Sequence, residues 1–213
     1  MANSLPEPES NPFIQRYLDV AREVGQEFKR ARRLHGKHIH CRRGCTDCCH
    51  HIFQISEVEA AYVSAGFRRL ADQQREKRSK NAAAYLRARD TIMQEHGYIE
   101  AWGNLPRPET RLACPALGDG LCSIYDHRPL ICRKFGAPLH YLDKPGRIFA
   151  CELNFGPGEA IEDPKLVQIQ TRTAERWSGL QQDYAHAGGG LRHEFPITVA
   201  DAILNDFQGH LPK

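Results

Sequence analysis

Cys41-Arg-Arg-Gly-Cys45-Thr-Asp-Cys48-Cys49 (residues 41–49, CRRGCTDCC) places four of the chain's eight cysteines within nine residues. No apolar period of 2 or 3.6 runs through the stretch, so neither a strand nor a helix face carries these thiols into a core. A free cysteine in a core behaves as a small hydrophobe, whereas these sit among arginines, a glycine and an aspartate. Thiol-rich polar loops point to metal, and soft thiolate sulfur suits zinc or iron–sulfur clusters far better than magnesium or calcium. The other four, Cys114, Cys122, Cys132 and Cys151, are separated by seven, nine and eighteen residues. Eight thiols suffice for two sites of four protein ligands each.

Cys45 and Cys48 form a compact two-residue-spaced chelate. Adjacent side chains tend to point apart, so Cys49 is expected to be free to serve a different centre from Cys48. The two cysteine groups can then interleave, and spacing leaves the partition open. Arg42, Arg43, Arg128, Arg133 and Lys134 flank the cysteines and are expected to offset the negative charge of a thiolate site or to donate hydrogen bonds to sulfur. His38, His40, His50 and His51 are read as outer neighbours or surface residues, since thiols already fill the donor set. Tyr125-Asp126-His127 reads as a turn and helix start that positions Cys132, not as acid–base machinery.

Outward from the loop, the chain reads as mainly α with a little β, its helices packed around irregular cysteine-rich metal-binding loops. Residues 1–10 read as a disordered arm rich in Pro, Glu and Ser. Asn11 as N-cap, Pro12 at the first helical position and apolar residues from Ile14 to Ala31 predict a helix closed by Gly36. HIFQI (51–55) has the make-up of a short strand. Ser56 and Glu59 form a capping-box pattern opening a helix to about Ala65. A polar helix over 67–96 carries a basic run read as a solvated face, because Asp72, Glu76 and Asp90 are interleaved and no aromatics accompany the charges. Residues 103–120 read as loop. Two short strands are expected around Lys144-Pro145-Gly146. A helix should run from Asp163-Pro164 to His186, ended by Gly188–Gly190, and a last one near 199–207, opened by Thr198 and Asp201. The domain expectation is one metal-binding unit over 11–213, with a cysteine core at about 38–155 and a helical extension at about 163–213.

The chain has 213 residues, 41% hydrophobic and 26% charged, with a formal charge of +3. That composition excludes disordered and collagen-like classes, and the small charge gives no argument for nucleic acid. No apolar run approaches a bilayer span, and the N-terminus lacks a secretory pattern. The expected setting is therefore the cytoplasm, where structural disulfides are rare.

CRRGCTDCC, followed by CPALGDGLCSIYDHRPLICRKFG and the later Cys151, resembles the YkgJ-type cysteine-cluster family, the zinc- or iron-chelating CxxCxxCC domain. The resemblance covers roughly residues 38–155. Three residues separate Cys41 from Cys45 where the family pattern has two. It implies metal chelation through Cys41, Cys45, Cys48, Cys49, Cys114, Cys122, Cys132 and Cys151. The cysteine region is also similar to that of the flagellin lysine methylase, which implies a role in modifying another protein.

Cys41-x3-Cys45-x2-Cys48 has the spacing of a radical S-adenosylmethionine loop as well. However, Asp47 stands where such enzymes usually carry an aromatic residue, and no strand–helix series builds their barrel. The expectation is an iron–sulfur protein, with a 4Fe–4S cluster, serving redox chemistry or modification of a protein substrate or redox partner. The alternative is Zn²⁺ stapling the loops of a non-catalytic interaction module. An apolar stripe left exposed on the 67–96 or 164–186 helix favours the module; an open pocket beside the thiols favours catalysis.

Overall fold

The computed structural model describes residues 8–96, 111–188 and 196–212. Within them the protein is mainly α, with two small antiparallel hairpins. Helix α1 (Pro12–Leu34) opens as its sequence dictates: extended Asn11 accepts from the Phe13 amide at 2.9 Å, and proline follows it. The Asn11 amide also donates to the Pro212 carbonyl at 2.8 Å, tying the two ends of the chain together. The expected arm covers residues 1–7, outside the described part, together with Pro8–Ser10. The latter forms a 3-10 turn, and Glu9 pairs with Arg69 at 3.0 Å, which corrects disorder to order there.

HIFQI is not a strand. Ile52 and Ile55 are buried, but Ile55 finds its backbone partner on the Ile197 carbonyl, not in a ladder. Helix α2 (Glu57–Arg68) has the Ser56–Glu59 capping box and is buried from Glu57 to Gly66. The chain breaks at Leu70, so α2 runs three residues past the expected Ala65 and the helix expected over 67–96 begins only at Asp72, as α3 (Asp72–His96). Its basic run is also not wholly solvated. Arg78 and Arg89 are 5% and 4% exposed, because α3 packs along α6 (Val199–Leu204) and over the loop after Cys114.

Within the stretch expected to be loop, residues 103–110 lie outside the described part, and β1 (Leu117–Gly118) pairs with β2 (Leu121–Cys122). Asp119 and Gly120 between them both have positive φ, 51° and 74°, as a two-residue I′ hairpin requires. A 3-10 turn at Tyr125–His127 leads into α4 (Leu130–Lys134), and β3 (Leu139–His140) pairs with β4 (Ile148–Phe149) around Gly146. Helix α5 (Leu166–His186) is followed by Gly188 at positive φ; Gly189 and Gly190 lie outside the described residues. Helix α6 stops at Leu204, short of the expected 207, and a 3-10 turn at Phe207–His210 buries Phe207.

The main core gathers Ile14, Tyr17 and Val20 from α1, Val58 and Tyr62 from α2, Tyr85 from α3, Leu180 and Tyr184 from α5 and Ile203 from α6. A smaller cluster of Ala31, Ile39, Ala137 and Phe155 lies beneath Cys41. Among the described residues no helix is long and apolar enough to cross a membrane.

Candidate metal centre

The first cysteine loop is shaped by its own turn. Gly44 adopts φ +88°, which lets the Cys45 amide reach back to the Arg42 carbonyl at 3.0 Å. A 3-10 turn over Asp47–His50 then carries Cys48 and Cys49. Two long-range backbone bonds bring the second group against it: Cys114 donates to the Cys49 carbonyl at 2.7 Å and Leu112 to His50 at 3.0 Å. Arg111 adds an ion pair to Asp47 at 2.6 Å.

Arg78, buried on α3, donates to the carbonyls of Pro115 and Leu117 and so fixes the strand entry between Cys114 and Cys122. Gly118 makes room for it: a Cβ there would stand 2.6 Å from its guanidinium. Cys132 is held through α4, whose first amide, on Leu130, donates to Glu59 at 2.9 Å. None of these braces was singled out in the sequence. The Asp119-Gly120 pair carried a hairpin signal; Arg78 and Glu59 carried none that points to a cysteine.

Cys45, Cys48, Cys49, Cys114, Cys122 and Cys132 line one cavity of about 450 Å³. Cys48 and Cys49 therefore border the same cavity, contrary to the expectation that they serve different centres; one 3-10 turn carries both. Cys41, Cys45 and Cys151 line a second, more open cavity with Asp47 and Asn154. The sequence groups are thus interleaved: Cys151 leaves the second group to join Cys41, and Cys45 borders both cavities.

Burial pushes the Cys132 thiol well up, and Cys114, Cys48 and Cys122 push it further. Burial raises Cys114 to about 12, with Cys122 and Cys48 adding to it. The Cys49 hydrogen bond, then burial, raises Cys48. In the second cavity burial raises Cys151 to about 11, and Asp47 and Cys41 contribute. Burial is the largest cause at Cys114, Cys132 and Cys151, and a cation among such thiols would reverse that balance.

Of the expected charge-offsetting residues, Arg42 and Arg43 border both cavities and Arg128 the first. The Arg128 guanidinium lies 3.8 Å over the Tyr125 ring. Arg133 lies outside both walls and instead donates to the Arg128 and Asp126 carbonyls, at 2.9 and 2.5 Å, bracing the turn before α4. Lys134 likewise lies outside both walls. His51 borders the first cavity and His40 and His50 the second, while His38 stacks on Phe155 and pairs with Glu159.

The donor set fits a thiophilic metal group. Two side chains of the first wall, Arg128 and His51, each keep a buried nitrogen (Nε and Nδ1) without a protein hydrogen-bond partner, suited to an acceptor in the cavity. Among the described residues no three His, Cys, Asp or Glu side chains are gathered at the spacing of a single bound ion; the first set surrounds a larger space.

Residues 40–147 match the model of one family, CxxCxxCC, described as a "Putative zinc- or iron-chelating domain". The chain belongs to the CxxCxxCC family. The match spans half of the chain and includes every cysteine except Cys151. Membership supports metal binding by this CxxCxxCC protein and leaves zinc and iron as the two choices. No curated protein and no solved structure matches the chain significantly.

Proposed function

We propose that this CxxCxxCC protein is an iron–sulfur protein whose larger cavity holds a polynuclear cluster, of the 4Fe–4S type, on Cys48, Cys114, Cys122 and Cys132. The observation that carries this reading is the cavity itself. Its 450 Å³ is more than ten times the roughly 30 Å³ share of one water, and thiols surround it without converging on one ion-sized point. Four thiolates spread around a space of that kind suit a cluster, whereas a tetrahedral zinc draws its four sulfurs together.

When bound, such a cluster supplies one-electron redox chemistry. The chain's own residues do the rest. Cys48, Cys114, Cys122 and Cys132 anchor it, Arg128 and Arg42 offset its negative charge, and Gly118, through Arg78, keeps the ligand loop in register. Phe53, Tyr85 and Val199 add apolar wall to the cavity, and such a wall moves a cluster's potential through the local dielectric. The cavity opens beside the thiols, which favours a reactive or electron-transferring role over a stapling one. Among the described residues α3 has no large exposed hydrophobic residue and α5 has Val167, so neither presents the apolar stripe of an interaction module. The partner is a protein, as redox mate or substrate of modification.

Anaerobic purification followed by visible absorption and analysis for iron, zinc and sulfide tests the reading. A brown protein with about four irons and four sulfides in the cluster supports it. A colourless protein holding zinc and no iron overturns it in favour of a structural centre.

A further inference from the structure

Leu153 and Tyr125 are the two most exposed large apolar side chains among the described residues, at 60% and 56%. Tyr125 lines the first cavity together with the exposed Leu121, and Leu153 lines the second. The turn at 42–45 walls both cavities and carries the exposed Arg42 and Arg43. Apolar residues scattered singly over a surface need no explanation. These are gathered around one turn, which also bears Cys45, the exposed member of the eight cysteines.

The segments that present them are fixed. Leu153 sits in a turn closed by the Asn154 amide, which donates to the Cys151 carbonyl at 2.8 Å. The Asn154 side chain donates to the Gly136 carbonyl at 2.6 Å and accepts from the His40 amide at 3.0 Å, pinning that turn to two other stretches of chain. The Arg128 guanidinium lies 3.8 Å over the Tyr125 ring, and Arg133 holds the same turn through the Asp126 and Arg128 carbonyls. The Cys45 amide closes the arginine turn on the Arg42 carbonyl. Groups ordered before association lose little freedom on association, which suits a surface made for docking.

Charge on this face is one-sided. Among the described residues the first cavity has no aspartate or glutamate in its wall, and Arg42, Arg43 and Arg128 have no carboxylate partner. Asp47 of the second cavity is already taken by Arg111 at 2.6 Å. Asp119 and Asp126 neighbour the rim in sequence but line neither cavity.

We propose that the turn at 42–45, with Leu121, Tyr125 and Leu153, is a docking surface for an acidic segment of a partner protein. Carboxylates of that segment meet Arg42 and Arg43, whose planar forks match them, and its apolar side chains cover Tyr125 and Leu153. The inference rests on the reading above, for which it supplies the partner's chemistry: a segment seated here lies at the wall of the cluster cavity. Single-stranded nucleic acid fits less well, since it is bound on rows of open aromatic faces and the exposed ring here, Tyr125, is covered by Arg128.

The test uses the full chain and a fluorescein-labelled peptide of glutamate and leucine, with a peptide of glutamine and leucine as control. Fluorescence anisotropy should show binding of the acidic peptide that weakens as salt is raised, and little binding of the control. Arg43→Glu and Leu153→Ser, both at exposed positions, should each weaken binding by about threefold or more. Arg172→Glu makes the same charge change on α5, outside both walls, and should leave binding unchanged. Circular dichroism on each variant checks the fold. Equal losses in Arg43→Glu and Arg172→Glu, or no binding of the acidic peptide by the wild type, overturn the surface. So does tighter binding of a single-stranded oligonucleotide that the peptide cannot displace. Anisotropy does not depend on the metal: a colourless zinc protein that binds the peptide through Arg43 overturns the cluster alone, and a brown protein that does not bind it overturns the docking surface alone.

Discussion

Glu59 Oε1 accepts a hydrogen bond from the Leu130 amide at 2.9 Å while Oε2 accepts from the Ser56 amide, also at 2.9 Å. One buried carboxylate thereby caps two helices, α2 and the short α4 that bears Cys132. A five-residue helix has little stability of its own, so this contact fixes where Cys132 stands. Glu59→Ala removes the carboxylate half of the α2 capping box, leaving the Ser56 Oγ cap in place, and leaves the Leu130 amide buried without a partner. The expected cost is about 2–4 kcal/mol, read from urea unfolding. Metal held through Cys132 should weaken in parallel, and a variant with unchanged stability would remove this role.

Arg78 performs the equivalent task for Cys114 and Cys122. Arg78→Met keeps the apolar stem but strips the donors from the carbonyls of Pro115 and Leu117, at an expected cost of about 2–3 kcal/mol. Arg78→Lys should not restore stability, because one ammonium cannot reproduce the planar fork. Thermal unfolding of the two variants beside the wild type checks both statements; full rescue by lysine counts against the geometry described.

At Gly136 the added methyl of alanine meets Cys41 Sγ, and Asn154 Nδ2 and Phe28 Cε2 at 3.3 and 3.4 Å close the way out. Gly136→Ala is expected to displace the thiol at a cost of about 1–3 kcal/mol. Thermal unfolding beside the wild type checks this, and an unchanged midpoint would show that the Cys41 loop yields to the methyl.

Asp163 makes stability depend on pH. Burial alone pushes its carboxyl pKa up, but hydrogen bonds and charge from Arg30 outweigh that and hold it below 3.8. A depressed folded pKa means that the contribution is complete above the unfolded value of about 4 and disappears as pH falls through the folded value. Asp163→Asn should therefore lower the urea midpoint at pH 6 by an amount equivalent to about 1.5–3 kcal/mol. The gap to the wild type should close as pH falls well below the unfolded value of about 4, and a pH-independent gap would assign the effect to packing.

Metal removal should loosen the loops selectively. Metal-binding free energy is folding free energy for irregular backbone, whereas α1, α2 and α5 share an apolar core of their own. Chelator-treated protein should keep its helical circular dichroism and lose amide exchange protection over residues 41–51 and 112–133. Uniform loss of protection across α1 as well would show that the metal holds the whole fold.

The sequence by itself determined the features that depend on a few neighbouring residues. Asn11-Pro12 and the Ser56–Glu59 pair start helices wherever they occur, since the capping bonds close within three residues. Lys144-Pro145-Gly146 makes its turn in the same way, and the dense thiol loop identified a metal-binding family. The local pattern misread residues 51–55 as a strand because β-rich composition cannot say whether a pairing partner exists. It misread Arg78 as solvated because charge interleaving does not reveal which face of α3 another segment will cover.

Only the tertiary structure decided which cysteines belong together. Cys114 reaches Cys49 through a backbone bond between residues far apart in the chain, and Cys151 crosses back to Asp47 and Cys41. Those pairings depend on how α1, α3 and α4 pack, and packing is set by the summed burial of apolar faces from every helix. Sequence spacing along an irregular loop has no period to carry such information. The ligand chemistry was local and legible, while its division between two cavities is a property of the folded chain.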